Sequence, residues 1–135
     1  MTQRPNLADY ARTELRAEAV YRGYRPKAGV LNDVARALPQ AHLVIVSGAW
    51  CGDCRMHVPK FARILEELPD TWTLELHQDD DESRETYDVL AVPSFIVLDR
   101  PLGRELGRII ESPTSDQGFE GDLLEIARGA RLTRV

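Results

Sequence analysis

Cys51 and Cys54 are the only cysteines in the chain, and Gly52 and Asp53 separate them. A secreted domain stapled by disulfides needs more cysteines, more widely spaced. A pair this close staples almost nothing and points to redox exchange or metal binding. If a helix opens at Cys51, the spacing puts Cys54 one turn inward on the same side. The two sulfurs can then close a disulfide or release it by exchange. The unpaired N–H groups of a helix start stabilise an anion, so a thiolate at Cys51 becomes the nucleophile. This reading makes Cys51 the exposed attacking sulfur and Cys54 the shielded resolving one.

Other polar residues give weaker signals. Cys51, Cys54 and His57 fall loosely on one helix face, and Asp53 with a water could complete a metal set. Structural zinc sites usually take four protein ligands, so no metal is assigned. His57 reads as a surface helix residue, and His42 and His77 as polar groups at strand ends. Asp79, Asp80, Asp81 and Glu82 lack the glycine and distal glutamate of a calcium loop and suit a helix N-terminus. Arg128, Arg131 and Arg134 suit the end of a last helix. Trp72 alternates with apolar residues and reads as packing. Trp50 abuts the nucleophile and reads as docking surface.

The elements that must position this pair follow from periodicity. Residues 7–20 carry a partial helical stripe of Leu7, Tyr10, Ala11, Glu14 and Leu15, which predicts one helix. A second short helix fits residues 27–38. The run HLVIVS over residues 42–47 predicts a buried strand that leads directly to the cysteines. Val58, Phe61, Ala62, Leu65 and Leu68 form the stripe of the helix that follows, with Pro59 inside it as a kink. Residues 71–76 alternate as a strand, residues 81–89 fit a short helix, and SFIVL at 94–98 is another buried strand. Residues 104–110 predict a strand paired with it, and residues 117–129 a last amphipathic helix. Alternation in the middle implies parallel crossovers, and the end of the chain implies a hairpin.

Strand, CxxC, helix is the context in which such a pair is redox-active. The segment Ala49-Trp50-Cys51-Gly52-Asp53-Cys54, Pro59 eight places after Cys51, and Val92-Pro93-Ser94-Phe95 before a strand resemble the thioredoxin family. WCGD followed by Val58-Pro59 is similar to a bacterial branch of thioredoxin-like proteins. The resemblance spans about residues 42–128 and implies an α/β thioredoxin fold. Such a fold has a central mixed sheet flanked by helices, here with an N-terminal helical extension. It further implies a cis bond before Pro93, opposite the CxxC pair. A cis X-Pro turn leaves the Val92 backbone able to bond an extended substrate strand. Several family features are replaced. The buried aspartate falls on Ile45, its lysine near Leu76, the second tryptophan on Ser47 and the groove glycine near Glu111. Asp53 stands where proline is usual; its charge should raise the pKa of Cys51, offset by Arg55.

The whole reads as one domain over residues 1–135, with a helical extension at 1–40 and a thioredoxin core at 42–130. Of its 135 residues, 43% are hydrophobic and 29% charged, and the net charge is −5. That balance suits a globular fold and gives no general pull toward nucleic acid or anionic lipid. No apolar run is long enough to span a bilayer, and residues 1–12 show no signal-peptide pattern, so a cytoplasmic protein is expected. The expected function is a disulfide reductase acting as a monomer. Cys51 and Cys54 are catalytic, Trp50, Gly52, Val92 and Pro93 hold the substrate, and Asp53 and Arg55 tune the thiolate. The substrate is a protein or small-molecule disulfide. The only redox group is the Cys51–Cys54 disulfide, recycled by an external reductase or thiol. The rival is a non-catalytic binding module that uses the same groove.

Overall fold

The computed structural model describes residues 6–132. Residues 1–5, Arg134 and the side chain of Arg131 lie outside the described residues. The chain opens not on the single helix expected over residues 7–20 but on three short pieces. Helix α1 (Leu7–Asp9) is capped by the Asn6 side chain, which accepts the Asp9 N–H at 3.0 Å. It runs into a π-helical turn (Tyr10–Glu14), and α2 (Glu18–Gly23) follows. The Leu15 N–H bonds back five residues to the Tyr10 carbonyl at 3.0 Å, which widens the turn. Arg16 then takes a left-handed φ of 53°, which no right-handed helix can continue through. The break leaves Tyr10, Ala11, Leu15 and Ala17 all buried.

After α3 (Ala28–Ala37), the elements alternate: β1 (Ala41–Ser47), α4 (Gly52–Glu66), β2 (Trp72–Gln78) and α5 (Asp81–Tyr87). The hairpin β3 (Ser94–Leu98) and β4 (Glu105–Ile110) and the helix α6 (Gly118–Leu132) complete the chain. The four strands lie in the order β2-β1-β3-β4. β1 runs parallel to β2 and antiparallel to β3, and β4 is antiparallel to β3. This is the mixed sheet flanked by helices that the resemblance implies. β1 is buried at all seven positions, which is why it reads as an uninterrupted apolar run. Asp80 caps α5 by accepting the Ser83 N–H at 2.7 Å, so this acidic stretch does mark a helix start. No helix among the described residues is long and apolar enough to cross a membrane.

One face of the sheet carries Leu43, Ile45, Leu74, Phe95, Val97 and Ile109. An aromatic knot seats the helices there. Phe61 of α4 stacks on Phe95 with ring centroids 4.3 Å apart. Phe119 of α6 meets Phe61 and Phe95 edgewise at 5.1 and 5.2 Å. Gly107 of β4 lets α6 approach closely, because a Cβ there would lie 2.8 Å from Cγ1 of Ile126. The knot anchors the helix whose first turn bears the cysteines.

The opposite face shows what two histidines near the strand ends do. His42 is the second residue of β1 and His77 the sixth of the seven in β2, and both turn to one carboxylate. His42 is only 4% exposed. Its Nε2 meets Glu75 Oε1 at 3.0 Å, and its Nδ1 meets Thr73 Oγ1 at 2.6 Å. The other Glu75 oxygen takes His77 Nε2 at 2.8 Å and the Tyr87 hydroxyl at 2.8 Å. Alternation and the β1–β2 register place all three side chains on one face. The hydrogen bond from His77, followed by those from Tyr87 and His42, holds the Glu75 carboxyl down at about 2, against partial burial that opposes it. A depressed carboxylate stabilises the fold fully above its unfolded value of 4.5 and loses that contribution as pH falls toward 2. Glu75→Gln keeps the shape and removes the titration. Its urea midpoint should fall less steeply than the parent's between about pH 5 and pH 3. Parallel curves would show that the cluster does not titrate with folding.

Candidate functional site

β1 delivers the chain to the cysteine turn. The Cys51 N–H donates to the Gly48 carbonyl at 3.1 Å, closing a tight loop. Cys51 is then the extended N-cap residue of α4, and its sulfur accepts the Cys54 N–H at 3.3 Å. A sulfur here does what a serine or aspartate oxygen does at other helix starts. The same donors serve a thiolate better than a thiol, because the acceptor then carries the charge. Both cysteines are free thiols.

Across the cleft, the Val92–Pro93 peptide bond is cis. The Cys51 S–H points to the Val92 carbonyl at 3.6 Å. That contact corrects two expectations. The Val92 carbonyl is not free, and Cys51 is not exposed: 8% of it is accessible, against 0% of Cys54. The order of access survives, with Cys51 the outer sulfur, but the loop before Pro93 covers it. The Pro93 carbonyl accepts the Glu111 N–H at 2.7 Å, which ties the loop to the end of β4. Glu111 itself has a φ of 66°, the left-handed backbone a glycine takes without cost.

The surroundings of the outer sulfur are open. Trp50 is 69% exposed. Its indole folds over Gly48, where a Cβ would lie 2.6 Å from the ring nitrogen. Gly52 and Asp53 are exposed in the first turn of α4. Arg55 does not reach toward Asp53; its Nε donates to the Ala49 carbonyl at 3.1 Å and braces the loop. Leu90 and Ile110 are also exposed, on the segments that flank the Val92–Pro93 turn in sequence and in pairing.

Cys54 sits deeper. Burial pushes its thiol well above the ordinary cysteine value, and the Gly48 N–H and the Ser47 hydroxyl oppose that. The Gly48 N–H lies 3.4 Å from its sulfur. Ser47 in turn receives the Tyr10 hydroxyl at 2.9 Å. Tyr10 and Ser47 were not among the expected site residues. Tyr10 is legible in the sequence as one residue of a helical stripe, and Ser47 as the end of a strand, where the second tryptophan of the family falls. No spacing rule links positions 37 apart.

His57 lies on α4, as expected, and is half-buried. Its ring meets Phe119 edgewise at 5.4 Å, and burial lowers its pKa. Among the described residues, no group of three or more histidine, cysteine, aspartate or glutamate side chains is placed to hold a metal. The metal reading of Cys51, Cys54, His57 and Asp53 therefore finds no geometric support.

A protein-family model described as thioredoxin matches residues 1–123. No curated protein matches the chain. Among solved structures, a protein of unknown function from Pseudomonas aeruginosa is 21% identical, with a TM-score of 0.65, and the match covers 96% of this chain and 99% of that one. An HIV epitope scaffold is also 21% identical, with a TM-score of 0.63, over 87% of this chain and 86% of its own. At these identities the two structures speak for the fold alone.

Proposed function

The chain belongs to the thioredoxin family, and from that premise we propose that it is a thiol–disulfide oxidoreductase working as a cytoplasmic reductant. One observation carries the reading. The outer sulfur accepts the Cys54 N–H of a helix start at 3.3 Å, with the second sulfur a turn below it. In the reaction, the Cys51 thiolate attacks one sulfur of a substrate disulfide. The other substrate sulfur leaves as a thiolate and takes a proton from water. Cys54 then loses its proton and attacks Cys51, which expels the second substrate sulfur and leaves an internal disulfide. Two electrons have passed from the dithiol to the substrate, and an external thiol or reductase must return them.

The remaining assignments rest on this reading. Trp50, Gly52, Val92 and Pro93 form the rim against which an extended substrate lies, with the exposed Leu90 and Ile110 beside them. Asp53 and Arg55 set the charge at the mouth. The substrate is a protein or small-molecule disulfide, met by residues 1–135 acting as one monomeric domain of a bacterial WCGDC type. The parent should accelerate the reduction of insulin disulfides by dithiothreitol, and Cys51→Ser should not exceed the uncatalysed rate. Equal rates for the two would remove the redox assignment.

The burial of Cys51 beneath the Val92 carbonyl favours a second reading, a binding module that uses the same rim without chemistry. The oxidised parent separates the two. A disulfide formed reversibly between Cys51 and Cys54 belongs to the first reading, and two thiols that persist under mild oxidant belong to the second.

A further inference from the structure

The segment between α5 and β3 has neither helix nor strand over residues 88–93, yet its backbone is tied down. Two arginines hold it. Arg108 of β4 donates from Nη2 to the Tyr87 carbonyl and from Nη1 to the Asp88 carbonyl, each at 3.0 Å. Arg84 of α5 donates from Nη1 to the Leu90 carbonyl at 3.1 Å. The Ser94 hydroxyl donates to the Ala91 carbonyl at 2.7 Å. The next carbonyl, that of Val92, is the one that covers the Cys51 sulfur at 3.6 Å.

Each guanidinium is itself held by a carboxylate. Arg84 meets Asp79 with Nε at 2.5 Å and Nη2 at 3.1 Å, and the Asp79 side chain is only 7% exposed. The Asp79 N–H donates to the Ser47 carbonyl at 2.9 Å, so this clamp is founded on the end of β1, the strand that leads into the cysteine turn. Arg108 meets Glu105 with Nε at 2.7 Å and Nη2 at 2.6 Å. A planar fork gripped by a carboxylate is fixed in the plane in which its remaining N–H groups donate. Lysine carries one nitrogen and cannot meet a carboxylate and a carbonyl in this way. Packing holds the segment at Val89 and Val92, which are buried, but Leu90 is 84% exposed and adds no packing. The arginines hold the backbone that the valines do not.

We propose that Arg84 and Arg108 clamp residues 87–92 across the mouth of the site and so set the size of the disulfide that reaches Cys51. This rests on the redox reading above. Both are positioning residues, which act on the sulfur through the Val92 carbonyl. With the clamp closed, 8% of Cys51 is accessible, which admits a slender disulfide more readily than one held in a folded protein. A protein disulfide needs the segment displaced, and displacement breaks the three bonds from arginine to carbonyl. Small-molecule disulfides therefore rank above protein disulfides as substrates of the parent.

Two maleimides of different bulk test the clamp apart from any redox activity. Cys51 is labelled in a Cys54→Ser background and Cys54 in a Cys51→Ser background, with N-ethylmaleimide and with fluorescein maleimide. A change in thiolate fraction multiplies both rates alike; a change in access acts mainly on the bulky reagent. In Arg84→Lys and in Arg108→Lys, the bulky-to-small ratio at Cys51 should rise severalfold. In the double variant it should rise about tenfold, the measure of one lost charge-assisted hydrogen bond. Cys54, fully buried, should stay slow toward both reagents, which separates an open segment from a loosened fold. The rate of reduction of insulin relative to that of hydroxyethyl disulfide should rise in the same order. A ratio unchanged from the parent's in every folded variant would overturn the clamp, and so would Cys54 labelling that rises in step with Cys51. If the maleimide ratio rises while the two disulfides keep their relative rates, the segment opens without selecting the substrate, and the proposal is equally overturned. If the parent reduces neither disulfide, the redox reading falls and the ranking of substrates with it, while the maleimide ratio still decides the clamp.

Discussion

In Cys54→Ser, a mixed disulfide formed on Cys51 should outlive the parent's by at least about a thousandfold. The magnitude follows from proximity. Well-oriented intramolecular partners reach effective concentrations of about 10⁵–10⁸ M, and even a poorly aligned pair near 1 M outpaces a millimolar external thiol by about 10³. Serine should be tolerated, because the fully buried Cys54 sulfur chiefly accepts the Gly48 N–H, which a hydroxyl can also take. Incubation with a protein disulfide followed by a non-reducing gel and mass spectrometry would show the adduct. The parent should show it only fleetingly and Cys51→Ser not at all. An adduct as short-lived in Cys54→Ser as in the parent would mean that Cys54 does not resolve it. The same trap separates the two functional readings: a binding module retains partners without a covalent bond.

The parts of this molecule that could be read from sequence are those encoded by neighbours. The run at β1 reads as a strand because both its faces are covered, and all seven residues are buried. The SFIVL strand has the bounds expected of it, Ser94–Leu98, because it too lies inside the sheet. The Cys51–Cys54 spacing names its own chemistry because both sulfurs belong to one helix start. Asp80 behaves as a cap because capping is a matter of four consecutive residues.

What was not legible depends on partners distant in the chain or on a single backbone angle. The helical stripe over residues 7–20 is real as a pattern, yet Arg16 at a φ of 53° breaks it, and no side-chain type announces that choice. Arginine is not a residue that favours the left-handed region, so the packing of Leu15 and Ala17 must favour it. Cys51 read as exposed because a helix start usually faces solvent; the Val92 carbonyl, 41 positions on, covers it. His42 and His77 read as groups near strand ends, and so they are. What the sequence does not show is that Glu75 makes those places acceptable by meeting both rings. The Tyr10–Ser47 contact belongs to the same class. A phenol in the N-terminal segment and a serine at the end of β1 become neighbours only after α1, β1 and α4 have packed.

Phe61→Ala should be the most destabilising single truncation in the core, costing about 3–5 kcal/mol. The site explains the size. Phe61 is fully buried, stacks on Phe95 at 4.3 Å and takes the Phe119 edge at 5.1 Å, so one deletion removes two ring contacts and opens a cavity between sheet and helices. Each aromatic pair adds about 0.5–1.5 kcal/mol beyond burial. Domains of this size have about 5–15 kcal/mol in total, so the loss is a large fraction of it. A melting point lower by roughly 10 °C or more corresponds to that loss. Phe61→Leu retains most of the volume and should cost clearly less. Truncating Phe119 in the Phe61→Ala background should cost less than truncating it in the parent, because their shared contact is already gone. The consequence reaches the cysteines through α4, whose first turn carries Cys54 and whose third turn carries Phe61. Near its melting temperature the variant should lose the slow alkylation that marks a buried Cys54 sooner than its far-ultraviolet circular dichroism falls. Urea unfolding at 25 °C, with alkylation followed by mass spectrometry, checks both parts. A cost below about 1 kcal/mol, the value of a tolerated core swap, would mean that the aromatic knot is not what seats α4 on the sheet.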